Sequence, residues 1–584
     1  MSNSLRKPEY GSDIVVDLMK AFNIEYAAFN PGATFRGIHD SIVNYGGNQC
    51  PEVIECCHEE VSVAISHGYS KVTGRPMAAI THNIVGLQHA TMAIFNAWCD
   101  RVPVIVMGGT GPMDTSRRRP WIDWVHTALV QGNLVRDFVK WDDQPYGMGA
   151  VPDSFIRAYR IAVTEPCGPV YLCFDSEMQE SGIAGEVPIP DIGRHTPAPP
   201  LPPNPEALRR AAELLSRAQN PVIVADNLGR NPRAVGSLIE LAEALAAPVI
   251  DRGGRFNFPS THPLDVTGAE AEALAEADVV LALDVQDLYG ALGTVDTHTR
   301  TFTTCVGRNP AIIHITLDEL ITRSWAADYQ KLQAVDIPMI ADTGLAVPQL
   351  ASACRELGTD AEQMRQRFGR LNGEHAARRA RWRDQARSPG GGQAISQGAL
   401  VAQVGEAIKG KDWVLTSDVW DRWARRLWEL KQPGQYIGRS SGAGLGYGLG
   451  AAMGAALAHR HSDKLVVDLQ PDGDFLMTPS ALWTAAHHRL PLLVVMLNNR
   501  TYFNSEQHQA QVARARGRDV ERRGIGTRLA EPAVDYAQLA RSFGLHGEGP
   551  VERLEDLRPA LDRALQAIKE RSQAAVVDVL VQER

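Results

Sequence analysis

Short apolar runs separated by longer amphipathic stretches recur along the whole chain, the pattern that parallel α/β layers write into a sequence. Residues 25–29, 78–80 and 102–107 predict strands in the first third. Residues 221–225 and 278–283 do so in the second, and 413–416, 465–468, 492–497 and 575–580 in the last. Two interruptions divide these runs. Residues 197–205 hold six prolines in nine positions and read as an extended, semi-rigid connector. Residues 363–393 are Arg-rich at Arg378-Arg379-Ala380-Arg381 and close on Ser388-Pro389-Gly390-Gly391-Gly392. That charge run reads as the solvated face of a helix within a linker, a binding patch being the alternative. The expectation is three doubly wound parallel-sheet α/β domains, at 1–190, 206–362 and 394–584.

One run breaks the pattern. Residues 441–458 (SGAGLGYGLGAAMGAALA) carry no charge over eighteen positions. They are mostly Gly and Ala and lack the Leu, Ile, Val and Phe that drive membrane insertion, so a helix packed tightly in a core is the reading.

Composition sharpens this picture. A chain of 584 residues with 44% hydrophobic and 22% charged positions has the make-up of a globular protein of about three domains. A net charge of −9 argues against a nucleic-acid surface. The eight cysteines include the neighbours Cys56-Cys57 but no CxxC, and the N-terminus has no apolar leader segment, so a reduced, cytoplasmic setting is expected.

Chemistry concentrates in the last third. Pro471-Asp472-Gly473-Asp474-Phe475 follows one apolar run, and Asn498-Asn499 ends the next. A carboxylate and an amide oxygen at the ends of two buried strands, 27 positions apart, suit a hard cation that carries phosphates. Asp472, Asn499 and the backbone carbonyl of Thr501 would supply three oxygens. Gly473 would let backbone N–H groups approach a phosphate, helped by a helix starting near Thr478. A turn at Asp-Gly and an unremarkable strand end at Asn-Asn are the plain alternatives for each half alone.

The stretch Asp472-Gly473-Asp474, Ser480-Ala481-Leu482-Trp483-Thr484-Ala485-Ala486 and Leu497-Asn498-Asn499-Arg500-Thr501-Tyr502 resembles thiamine-diphosphate-dependent 2-oxoacid decarboxylases and acetolactate synthases, most closely the benzoylformate decarboxylase-like enzymes. The resemblance extends over nearly the whole chain. It implies a pyrimidine-binding, a central and a diphosphate-binding domain. It also implies Mg2+ and thiamine diphosphate as cofactors, with Asp472, Gly473, Asp474, Asn499 and Thr501 at the diphosphate. Pro471 departs from the glycine usual before the aspartate, which stiffens the entry to the loop.

The same resemblance assigns the first domain. Cys57-His58-Glu59-Glu60 leads to Gly68-Tyr69, and the glutamate nine positions before that pair, Glu59, matches the one that activates the cofactor. Such a carboxyl group must be buried to share a proton with the aminopyrimidine. Gly442-Ala443-Gly444-Leu445-Gly446-Tyr447-Gly448 is similar to the family's turn under the cofactor. It implies Leu445 as the bulky residue that bends the cofactor and the Ala443 carbonyl as acceptor from its amino group. His82, fourteen positions before Asn96, stands where these decarboxylases keep a catalytic histidine. Ala33 replaces a substrate-contacting serine, which speaks against benzoylformate itself. Glu506 is a candidate catalytic carboxylate, a helix N-terminal charge being the alternative. In the central domain a nucleotide or FAD is possible but unsupported, and Asp226-Asn227-Leu228-Gly229-Arg230-Asn231 reads as a surface loop.

The implied activity is cleavage of a C–C bond, decarboxylating a 2-oxoacid through an enamine, with His82 and Glu506 handling protons. An acetolactate synthase-like carboligase and a 2-hydroxyacyl-CoA lyase are the alternatives, and a non-catalytic cofactor-binding paralogue is disfavoured. A homodimer or homotetramer with intersubunit active sites is implied, acting on a small 2-oxoacid or 2-hydroxyacyl substrate, with neither nucleic acid nor membrane as partner.

Overall fold

Three parallel sheets account for most of the strands, and the alternation of side chains along them explains why their sequences are continuously apolar. The computed structural model describes residues 7–120, 122–296, 299–307, 309–321, 329, 331–387, 395–417 and 422–582. The first sheet takes β1 (Tyr26–Phe29), β2 (Glu52–Glu55), β3 (Met77–Thr81), β4 (Val104–Thr110), β5 (Trp141–Asp143) and β6 (Val170–Asp175) in the order β2-β1-β3-β4-β6-β5. Along β4, Val104 and Val106 join one apolar cluster while Ile105 and Met107 join another. Both faces are therefore covered, which requires an unbroken hydrophobic run.

The second sheet takes β7 (Pro221–Ala225), β8 (Val249–Asp251), β9 (Val279–Leu283), β12 (Ala311–Thr316) and β13 (Ile337–Ile340), ordered β13-β12-β9-β7-β8. Between β9 and β12 lies an antiparallel pair, β10 (Gly293–Asp296) and β11 (Thr301–Thr304). The third sheet takes β14 (Trp413–Ser417), β15 (Leu465–Pro471), β16 (Leu492–Asn498), β17 (His546–Val551) and β18 (Ala575–Leu580), ordered β14-β15-β16-β18-β17. All nine sequence-predicted strands are present, several longer by a few residues.

Six helices matter below: α1 (Glu59–Thr73), α2 (Ile84–Cys99), α3 (Ala361–Arg387), α4 (Gly448–Ala458), α5 (Ala481–His487) and α6 (Phe503–Ala515). The chain divides into two compact units. The first comprises 1–199, 440–462 and 474–492; the second comprises 200–439, 463–473 and 493–584.

Inside the first unit, α4 is the uncharged run, and its small residues have a clear purpose. A Cβ on Gly68 of α1 would fall 2.2 Å from the Ala451 carbonyl oxygen, and one on Gly454 would fall 2.1 Å from that of Ile65. The two helices cross at backbone contact, which only glycine permits. Among the described residues no helix is long and apolar enough to cross a membrane. A buried Lys71–Asp100 ion pair at 2.6 Å ties the same region together, Asp100 also accepting the N–H of Ser441 at 2.6 Å.

Inside the second unit the Arg-rich stretch departs from expectation. It is not a linker with a solvated face but the 27-residue helix α3, ending at Arg387; residues 388–393 of the stretch lie outside the described residues. Arg367, Arg378 and Arg379 are buried. Arg367 donates to the carbonyls of Leu245, Ala246 and Gln219, Arg378 to that of Asp265, and Arg379 to those of Ser260, Leu427 and Trp428. Guanidinium forks here satisfy carbonyls of loops and of helix C-termini. The segment read as a surface loop, 226–231, is likewise corrected. Asp226 and Asn227 are 2% and 3% exposed, and their N–H groups donate to the carbonyls of Leu283 and Asp284. The Pro-rich connector has no regular structure until Asn204 caps the helix that follows it.

Candidate functional site

The site residues form two sets, one in each unit. In the first unit α1 starts at Glu59 because His58 is extended (φ −155°, ψ 142°) and its Nδ1 accepts the N–H of Glu60 at 3.1 Å. Glu59 is 5% exposed. Its Oε2 lies 3.2 Å from His89 Nδ1 on α2. A Cβ on Gly86 would come within 2.9 Å of its Oε1, so the glycine makes room for the carboxylate. The neighbouring Glu60 is half-buried. Burial and the charge of Asp474 push its carboxyl up to about 7.

Asp474, expected at the cofactor, has a definite structural task. Its two oxygens accept the N–H groups of Gly446 at 2.8 Å and Gly448 at 3.2 Å. Asn96 grips the same loop from the other side, its Oδ1 accepting the Gly444 N–H at 3.1 Å and its Nδ2 donating to the Gly444 carbonyl at 3.2 Å. Held at both points, Ala443 takes a left-handed conformation (φ +50°), and Leu445 remains 41% exposed, an apolar side chain with no core to enter.

His82 ends β3 and is half-buried. Burial lowers its pKa, and the nearby His126 adds to the effect. Its Nδ1 accepts the N–H of Asn83 at 2.8 Å and the hydroxyl of Thr34 at 3.0 Å. With Nδ1 occupied as an acceptor, the neutral ring carries its proton on Nε2. Ala33 opens the short 3-10 turn Ala33–Phe35, so the hydroxyl that reaches His82 belongs to the next residue, Thr34.

In the second unit, Asp472 follows β15 and Asn499 follows its neighbour β16, as the apolar runs implied. Asp472 is 2% exposed. Its oxygens accept only backbone N–H groups, from Gly473 at 2.9 Å and Arg500 at 2.7 Å. Behind it lies Asp578 on β18, 0% exposed, which accepts from Asn498 Nδ2 at 2.9 Å. Burial pushes both carboxyls up to about 6. Asn499 Oδ1 accepts the Thr501 N–H at 3.1 Å. Gly473 is required by Tyr502, whose ring would lie 2.5 Å from a Cβ at that position. Glu506, in the first turn of α6, is 2% exposed and accepts from Thr501 Oγ1 and Arg523 Nε, each at 2.9 Å.

The helix expected near Thr478 is present but starts three residues later and is short. A single turn occupies Asp472–Phe475, and α5 starts at Ala481 with no side-chain cap. Elements of four and seven residues are too short to lend a useful dipole.

Among the described residues neither Asp472 nor Asp578 has a Lys, Arg or His within ion-pair distance. Two buried carboxylates without a cation are unfavourable, and a divalent ion would relieve them. The donors available, a carboxylate, an amide oxygen and a carbonyl, are hard oxygens of the kind Mg2+ takes. The residues therefore fit the implied ion. The sequence reading missed Thr34, Asn96, Asp578 and the setting of Glu60. Only Asn96 carried a signal, as the position fourteen after His82; the other three act across the fold from positions with no local pattern.

Three family models match: the thiamine pyrophosphate enzyme N-terminal TPP binding domain over residues 10–131, the central domain over 208–350 and the C-terminal TPP binding domain over 420–579. Benzoylformate decarboxylase of Pseudomonas aeruginosa is 27% identical over 87% of this chain and 89% of its own length. Acetolactate synthase 3 of Brassica napus is 23% identical over 96% of this chain and 82% of its own. The solved 4-hydroxybenzoylformate decarboxylase of Rhodococcus jostii superposes with a TM-score of 0.76 at 21% identity, covering 98% of this chain and 99% of that one. At that identity the superposition speaks for the fold.

Proposed function

Because this chain belongs to the thiamine pyrophosphate enzyme family, we propose that it decarboxylates a 2-oxoacid with the help of thiamine diphosphate and Mg2+. When bound, that cofactor supplies a nucleophilic carbon and a ring that accepts the electron pair as the adjacent C–C bond breaks. The observation that carries the proposal is the buried Glu59 carboxylate at the head of α1, with Gly86 cleared away from its oxygen. Sheltered from water, Glu59 can hold a proton in common with a pyrimidine nitrogen. Asp472, Asn499 and the Thr501 carbonyl would hold Mg2+, and Glu506 fixes Thr501 through its hydroxyl. The Ala443 carbonyl and the Leu445 side chain would meet the cofactor, on a loop held still by Asn96 and Asp474. His82 presents a neutral Nε2–H, suited to donating a hydrogen bond to a substrate oxygen.

The benzoylformate decarboxylase relative supports decarboxylation over most of the chain, and the acetolactate synthase relative supports carboligation as the second reading. A cytoplasmic homodimer or homotetramer belongs to the same proposal. A screen of 2-oxoacids and acyl-CoA donors, scored for CO2, aldehyde, acyloin and formyl-CoA, separates the outcomes. Glu59→Gln is expected to abolish turnover while cofactor retention, measured by gel filtration, stays near wild type. Unchanged turnover in that variant would sink the proposal.

A further inference from the structure

Two arginines of the second unit make no ion pair among the described residues, and both face one cavity. Among the described residues it is lined by Arg252, Gly253, Arg422, Arg425, Tyr436 and Arg439 with two leucines, and it is a small, partly open cavity of about 30 Å³. Arg425 is matched, by Asp251 at 2.7 Å and Asp265 at 3.4 Å. Arg439 is matched by Asp226 at 3.2 Å and also donates to the Arg252 carbonyl. The side chains of Arg252 and Arg422 have neither an ion pair nor a hydrogen bond among the described residues. Burial pushes the Arg252 guanidinium below its ordinary value; Asp226 and Glu270 oppose this, while Arg439 and Arg422 add to it.

The backbone builds this convergence. Gly438 (φ +94°) passes so close to residue 254 that a Cβ would fall 2.0 Å from the Gly254 carbonyl oxygen, and the Arg439 N–H donates to the Gly253 carbonyl at 3.1 Å. Gly253 (φ +83°) in turn leaves the Arg422 guanidinium carbon 4.0 Å from where its Cβ would be. Three segments, 252–255, 422–425 and 438–439, thus meet at one small opening.

We propose that this cavity binds a small oxyanion, a phosphate group, between Arg252 and Arg422. Like charges held together at a part-buried opening are unfavourable unless an anion joins them, and guanidinium forks match phosphate oxygens two at a time. Arg425 and Arg439, fixed by their aspartates, form walls rather than ligands. Inorganic phosphate and the terminal phosphate of a larger ligand share this chemistry. The site makes no use of Glu59 or Asp472, so it stands apart from the reading above.

The test uses full-length protein saturated with thiamine diphosphate and Mg2+, so that added phosphates cannot report the cofactor's own site. Calorimetric titration at constant ionic strength with inorganic phosphate is expected to give one saturable site per chain, and phosphate is expected to raise Tm where chloride does not. ADP displaced by phosphate would identify a phosphate ester as the source, and phosphate binding without ADP binding would identify the free ion. Arg252→Gln/Arg422→Gln should weaken phosphate binding about tenfold or more. Its Tm without phosphate should equal or exceed that of wild type, because two like charges are gone. Arg422→Lys should fall between. No binding to wild type, undiminished binding to the double variant, or a lowered phosphate-free Tm in that variant would each overturn the proposal.

Discussion

Two pairs of buried aspartates in the second unit receive opposite treatment. Asp251 and Asp265 share the buried Arg425, and Asp251 also accepts from Gly253 N at 2.8 Å and Asn257 Nδ2 at 2.7 Å. Asp472 and Asp578 have comparable burial but only backbone and amide donors, and burial pushes each up to about 6. The first pair is a finished structural knot. The second has no ion-pair partner among the described residues, and its hard oxygens suit a divalent cation.

The largest test of this contrast removes the knot's cation. Arg425→Met would leave Asp251 and Asp265 buried without a partner, a loss of about 3–5 kcal/mol. Calorimetric unfolding should show the drop, and a Tm equal to wild type would mean the pair is not what holds this region.

The opposite behaviour is expected at Asp472. A carboxyl raised from its ordinary 3.8 to about 6 binds a proton more readily folded than unfolded. Without Mg2+, stability should therefore fall as pH rises from about 4 to about 6, by about 3 kcal/mol for this group. Asp472→Asn should lack that slope, so the comparison of the two isolates it from other titrating groups. Added Mg2+ should stabilise wild type by about 2.7 kcal/mol at a hundred times its Kd and leave Asp472→Asn unmoved. Equal responses in the two proteins would refute the cation site.

Whether the two sets of site residues combine within a chain or between chains is open to a mixing experiment. Inactive Glu59→Gln and inactive Asp472→Ala, exchanged together, should recover up to about a quarter of wild-type activity if each site draws on two subunits of a dimer. No recovery after verified exchange would assign both sets to one chain. The smallest effect is expected at Thr34→Val, which deletes one hydroxyl donor to His82 Nδ1. A loss of about 0.5–1.5 kcal/mol in transition-state stabilisation, read as a several-fold fall in kcat/KM, is expected.

The sequence by itself determined the layers. Strands buried on both faces must be apolar without interruption, so runs such as 221–225 and 575–580 coincide with β7 and β18 to the residue. It also marked Asp472 and Asn499 by their spacing at strand ends, and Glu59 through the family resemblance, because a motif is a local spacing and those residues sit at element ends where spacing is kept. The Arg-rich helix α3 misled for the converse reason. Charge is a property of the residue, but whether it meets water or a row of unpaired carbonyls depends on what packs against it. Asp578 lies 106 positions from Asp472, and Thr34 lies 48 from His82, so nothing along the chain announces either pairing. Only the tertiary structure decided which buried carboxylates were given an arginine and which were given backbone and amide donors alone. That choice is made by segments that meet in space, and electrostatic interactions depend on distance in space rather than along the sequence.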